Sequence, residues 1–153
     1  MQDKPLRYFV VRSPYVQLVL AGVKTFEWRT NANVFANKRL AVSVSKGAAC
    51  EEDLHDDIAY WEKRLKLSLR RKTNEERGAA MAIFLKKRAK AERLFKKTNG
   101  NGMIIGEITT GDVCNYDGAS AVPILRFKLW PESKWMKSPG GLGVRCMPGV
   151  KRK

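Results

Sequence analysis

Apolar and polar positions repeat along this chain with two different periods, and the change of period divides it into parts. Residues 8–12, "YFVVR", are a short apolar, β-branched and aromatic run that predicts a buried strand. Ser13 and Pro14 then offer a capping hydroxyl and a proline for the first helical position, with Val16, Val19 and Leu20 at helical spacing. Gly22 suits the left-handed residue that ends such a helix. In "KTFEWRT", an extended backbone would send Thr25, Glu27 and Arg29 one way and Lys24, Phe26 and Trp28 the other. A polar connection, "NANVFANK", leads to "RLAVSVSKG" at 39–47. There Leu40, Val42 and Val44 share one strand face, and Ser43 and Ser45 take the opposite one.

The period lengthens at Cys50. Leu54, Ile58, Trp61, Leu65 and Leu69 recur at steps of three and four, which predicts an amphipathic helix. Its first turns carry Glu51, Glu52, Asp53, Asp56 and Asp57 and its end carries Arg70, Arg71 and Lys72, an order that suits the helix dipole. After a break at Thr73 and Asn74, a second helix runs to about Lys97, with Met81, Phe84, Leu85, Ala91, Leu94 and Phe95 on its apolar side. Strands then return. "MIIGEITTGDV" holds Ile104, Ile105 and Ile108, and its internal Gly106 marks a bulge or a close backbone approach. "AVPILRFKLW" reads as a further strand, with Trp130 in the core. "PGGLGVRCM" supplies a glycine-rich turn and a last short strand before a basic tail that is expected to fray. The expected organisation is one α+β domain over 1–153, with 50–98 a helical insertion.

Charge narrows the choice of partner. Thirty Lys and Arg against fifteen Asp and Glu leave a net charge of +15, which favours a polyanion, and nucleic acid is the commonest one. The insertion concentrates this charge: residues 63–97 hold fourteen basic and three acidic positions. Lys86, Lys87 and Lys90 are candidates there for tracking phosphates, against the plainer role of a solvated face. The same hairpin could instead dock an acidic protein partner. No stretch approaches the ~20 apolar residues of a membrane span, the first residues lack the order of a secretory signal, and no membrane partner is expected.

Cys50, Cys114 and Cys146 are odd in number and far apart, and His55 is the single histidine. The pattern points to a reducing, cytoplasmic setting, with no disulfide framework, metal or cofactor. His55, among Glu52, Asp53, Asp56 and Asp57, belongs on a solvated helix face. A Ser-His-Asp set and a phosphate-binding glycine loop of the Walker type are not found.

With a strand and a helix before it and strands after it, Gly22-x-Lys24-x-x-Glu27-x-Arg29 resembles the signature of the ASCH family, a branch of the PUA-like fold. The match is strongest over "SPYVQLVLAGVKTFEWR" and covers about 8–47 and 102–147. The resemblance implies a small mixed β-barrel with a few helices and a cleft for nucleic acid, RNA in preference to DNA. It also implies that some relatives are hydrolases, one type removing the acyl group from N4-acetylcytidine and another assigned ribonuclease activity. In the amidohydrolase type, the lysine matching Lys24 is catalytic. A threonine stands where this chain has Glu27, and a separate carboxylate completes the set; Glu107 is a possible stand-in for it.

The residues themselves permit two chemistries. Lys24, if desolvated, becomes a base or nucleophile with Glu27 as its partner; held charged by that carboxylate, it suits a phosphate. Arg29 offers a planar fork for phosphate or a base edge. The plainer alternatives are a structural Glu27–Arg29 pair, an idle strand-end Lys24 and a core Trp28. Late in the chain, Trp135, Lys137 and Arg145 interleave an aromatic with cations, as a single-stranded path requires, and Ser138 could add a hydroxyl. The leading expectation is an RNA-binding domain; the alternative is a metal-independent hydrolase acting on RNA or a modified nucleoside.

Overall fold

A computed structural model describes residues 4–149; the expected frayed tail at 150–153 lies outside them. The order is β1 (Arg7–Val11), α1 (Tyr15–Leu20), β2 (Phe26–Trp28), β3 (Arg39–Val44), α2 (Glu51–Ser68), α3 (Asn74–Thr98), β4 (Met103–Thr110), β5 (Cys114–Tyr116), β6 (Ala119–Leu129), β7 (Met136–Lys137) and β8 (Arg145–Cys146). The architecture is mixed α+β, with eight strands and three α-helices among the described residues. The sheet runs β2-β6-β4-β3-β1-β8, with β5 added to β6 and β7 to β4. β1 and β3 are parallel; the other pairings are antiparallel. Among the described residues no pairing joins β2 to β8, so the sheet is open, and closure of the mixed β-barrel that the resemblance implied is not seen among them.

The strand alternation read for β3 holds in direction and fails in polarity. Leu40, Val42 and Val44 enter the main core with Phe9, Val11, Val16, Leu20 and Ile105. The opposite face is not wet: Ser43 is buried, and Ala41 packs with Tyr8, Ile104, Trp130 and Met147. The segment after β6 folds back over that face, so a central strand is covered on both sides.

Gly106 explains how α1 lies so near the sheet. A Cβ there would stand 2.5 Å from the Lys128 carbonyl and 2.9 Å from a Leu20 methyl. The register between β3 and β4 shifts at Val42/Ser43, opposite Ile105, so the bulge falls beside this glycine. Ser13 does not cap α1; Pro14 occupies the cap position with no side-chain bond. The Ser13 hydroxyl accepts instead from Gln17 Nε2 and from the Gly100 N–H, which ties α1 to the end of α3.

The helical pair between β3 and β4 packs through Leu54, Ile58, Trp61, Phe84, Ala91 and Phe95 onto Leu18, Ala21 and Val23. Leu85, read as apolar-side, is 52% exposed, because the buried stripe of α3 runs through Phe84, Ala91, Leu94, Phe95 and Thr98. Leu69 is the residue after the last turn of α2, not part of its stripe. Thr73 caps α3 in a reciprocal box with Glu76. His55 is exposed, and all three cysteines are free. No described helix is long and apolar enough to cross a membrane.

Candidate functional site

The loop before β2 decides the site. Gly22 has a φ of +83°, a conformation that costs other residues about 1–2 kcal/mol. It lets Val23 and Lys24 donate their N–H groups back to the Leu18 carbonyl at 2.9 and 3.1 Å. Lys24 is thus wound against the end of α1, and β2 starts only at Phe26. The strand alternation that placed Lys24 opposite Glu27 therefore does not reach Lys24. Its Nζ donates to Glu27 Oε2 at 2.6 Å and to the Phe26 carbonyl at 2.8 Å.

Glu27 accepts on its other oxygen from Arg29 Nε at 3.1 Å. A second guanidinium nitrogen of Arg29 donates to the Val10 carbonyl, and the guanidinium lies over the rings of Phe9 and Phe35. Side-chain exposure rises along this row, from 5% at Lys24 and 9% at Glu27 to 28% at Arg29. Two nearly buried charges survive here because each meets its opposite and donors fill both carboxylate oxygens. Lys24 is neither exposed nor idle.

Two hollows share the Tyr15 and Glu27 walls. The larger, about 620 Å³, is lined by Arg12, Arg29 and Lys46 together with Ser138 and the glycine-rich loop 140–143. Ser138 therefore does stand at the cleft, its hydroxyl accepting from the Gly140 N–H, and its own N–H is tied to the Gly102 carbonyl. The smaller hollow, about 530 Å³, is a box of Tyr15, Trp28, Tyr60 and Trp61 with Lys24, Asp57 and Asp117. Its far wall comes from α2. Trp28 is half-buried, its Nε1–H given to the Tyr116 carbonyl, and its ring lies 5.2 Å from Lys24 Nζ.

Burial and neighbouring charges shift the titration of three groups in the box. Burial lifts the Asp57 carboxyl above its ordinary range; Lys24 pulls it down, and Asp53 and Asp56 push it up. Asp57, then burial, raises the Tyr15 phenol. Tyr60 is pushed up to about 12 by burial and by the hydrogen bond to Asp117, which it makes at 2.6 Å.

The other expected residues are spread more widely. Glu107 does not join Lys24: its carboxylate takes Arg39 Nε at 2.5 Å and Trp130 Nε1 at 2.9 Å. Burial opposes its charge, yet the Arg39 and Trp130 hydrogen bonds prevail and hold it below the usual range. Trp135 is half-buried, donating to the Trp130 carbonyl. Lys137 is exposed on β7, and Arg145 on β8, beside Gly141 at the cleft rim. Lys86, Lys87 and Lys90 line neither hollow; Lys87 edges an apolar groove between the helices and β5, and Lys90 lies by Phe127.

Sequence reading missed Arg12, Tyr15, Lys46, Asp57, Tyr60 and Trp61. Asp57, Tyr60 and Trp61 sit at i, i+3 and i+4 of one helix, a spacing that marks a shared face. Nothing in the sequence says which part of the sheet that face meets. Among the described residues no group of three or more His, Cys, Asp or Glu is placed to hold a metal ion. No protein-family model matches the chain, and no curated protein matches it.

Proposed function

We propose that this chain is a cytoplasmic RNA-binding protein of the ASCH type in the PUA-like fold, taking single-stranded RNA along the larger cleft. The observation that carries the reading is a hollow of about 620 Å³ lined together by Arg12, Arg29 and Lys46 and by Ser138 and the glycines at 140, 141 and 143. Cations and a glycine-rich main chain in one lining suit a phosphodiester backbone. Arg29 stays partly exposed and is oriented by Glu27 and the rings of Phe9 and Phe35. Arg145 lies beside Gly141 at the cleft, Trp135 and Lys137 are assigned here to the outer part of the RNA path, and the net charge of +15 steers a polyanion toward the protein. Lys86, Lys87 and Lys90 act at a distance, through the field rather than in the cleft.

The test is fluorescence anisotropy with a short labelled oligouridylate. Neutralising about three phosphates of a single strand gives a slope of log affinity on log salt near about −2, a loss of more than about tenfold between about 50 and 200 mM. Arg29→Ala flattens that slope by roughly one phosphate's share. Affinity that ignores salt rules the reading out.

One observation favours the hydrolase as a second reading. Asp57 lines the aromatic box with Lys24, and burial raises its carboxyl above the ordinary range, the direction a proton-transferring carboxylate needs. RNA containing N4-acetylcytidine, incubated without added metal and weighed by mass spectrometry, decides it. Loss of the acyl mass with the native chain and not with Lys24→Ala supports an enzyme, and unchanged RNA in both leaves binding alone.

A further inference from the structure

The apolar groove between the helices and β5 shares no lining residue with the larger cleft. The buried contacts of the helical pair end at Trp61 on α2 and Phe84 on α3. Toward the connecting turn, Leu65 and Ile83 continue the two helices and, with Val23, line a hollow of about 420 Å³. Ile83 is 57% exposed there. Phe127, 40% exposed, adjoins the groove through Gly22, where an added Cβ would meet its ring at 2.5 Å. One exposed apolar side chain is ordinary, but an apolar recess continuous with others marks an interaction surface.

Its polar groups are one-sided. No Asp or Glu lines the groove. The Arg64 guanidinium is engaged by the Tyr116 hydroxyl and Asp117, and the Ser68 hydroxyl by the Leu65 carbonyl. The Lys87 ammonium, the Trp61 indole N–H and the Thr25 hydroxyl have no hydrogen bond or ion pair among the described residues. The first two only donate, and the third can donate or accept. Lys90 follows Lys87 by one helical turn and lies over the Phe127 ring. A ligand here must bring acceptors as well as apolar surface.

The rings do not invite a base. Tyr116 is stacked by Phe26 and Trp61 and covered by Arg64, and Trp61 is buried, so neither has a free face for stacking. A second copy of this chain carries the same net charge of +15, which sets like charges against one another.

We propose that the groove docks an acidic amphipathic segment of a partner protein, its aliphatic side chains against Val23, Leu65 and Ile83 and its carboxylates on Lys87 and Lys90. The fourteen basic and three acidic positions of 63–97 steer such a segment to the hairpin. A helix laid in the groove brings its apolar stripe and flanking carboxylates to bear together. This role is additional to RNA binding and stands apart from the motif residues.

The test is fluorescence anisotropy of the full chain with a labelled peptide of repeating Glu-Leu-Leu-Glu. Replacing every leucine by serine, or every glutamate by glutamine, should weaken binding at least about tenfold, because both contacts are needed. Ile83→Glu should cost about tenfold and Lys87→Glu about fivefold. Lys86→Glu makes the same charge change on the same helix outside the groove and should stay within about twofold, being screened by solvent. Thermal midpoints check that each variant folds, and Lys87→Glu supplies the readout if Ile83→Glu lowers the midpoint. The assignment is overturned if the native chain does not bind the leucine peptide, if the serine peptide binds as well, or if Lys86→Glu matches Lys87→Glu. It is also overturned if Ile83→Glu weakens an oligouridylate, or vesicles of phosphatidylserine in phosphatidylcholine, as much as the peptide. Those two outcomes would give the groove to nucleic acid or to a membrane surface.

Discussion

In the motif segment Glu27 spends both oxygens on cations, and the Lys24–Glu27 pair is almost out of solvent. On α3, Glu92 meets Arg88 at 3.0 Å with both side chains about two-fifths exposed. The Arg29–Glu27 and Arg88–Glu92 bonds join the same residue types at 3.1 and 3.0 Å, yet water separates the two cases. On α3 it screens the pair and competes for it. In the motif it is nearly excluded, so each charge depends on its partner. Charge clustering along a sequence therefore identifies neither a site nor a stabilising network until burial is known.

Substitutions that remove one partner sharpen the contrast. Glu27→Ala has the largest expected effect: it strands a buried ammonium and releases Arg29, at a cost of about 3–5 kcal/mol, read as a drop in thermal midpoint. A loss below about 1 kcal/mol would show that Lys24 simply swings into water, and the motif would then resemble α3.

Glu107→Gln lies between the extremes. Its carboxylate is largely covered, but Arg39 is well exposed, so the charged hydrogen bonds are discounted to about 1–2 kcal/mol. Its sign with pH is set by the lowered carboxyl. That contribution is fully present above the ordinary carboxylate range and disappears as pH falls through the depressed folded value. Native and Glu107→Gln melts should therefore differ at neutral pH and converge in acid. A constant gap would mean that Glu107 acts through shape alone.

Glu92→Ala is the smallest change, below about 0.5 kcal/mol, and moderate salt should remove even that. A larger loss would mean that the hairpin's ion pairs are structural, and the comparison would fail at its other end.

Much of the frame was legible in the sequence because it rests on short-range rules. Apolar runs marked β1 and β4, alternation marked β3, steps of three and four marked α2 and α3, and Gly22 stood where a helix needs a left-handed stop. The short strands β5 and β7 escaped, since three and two residues carry no period. Gly22-x-Lys24-x-x-Glu27-x-Arg29 was legible as a cluster, while its pairing was not. The reversal onto Leu18 takes Lys24 out of the strand alternation.

What the sequence determined by itself is local: where strands and helices form, where the chain turns, and which charges are available. Tertiary structure alone decided which of those charges lose water and what faces them. The basic run of α3 stays solvated, while the acidic first half of α2 brings Asp57, Tyr60 and Trp61 over Lys24. Periodicity states that a helix has a face, but the partner of that face is set by packing volume and loop geometry summed over the whole core. For that reason the cations could be listed from the sequence, and the box that Asp57, Tyr60 and Trp61 build around Lys24 could not.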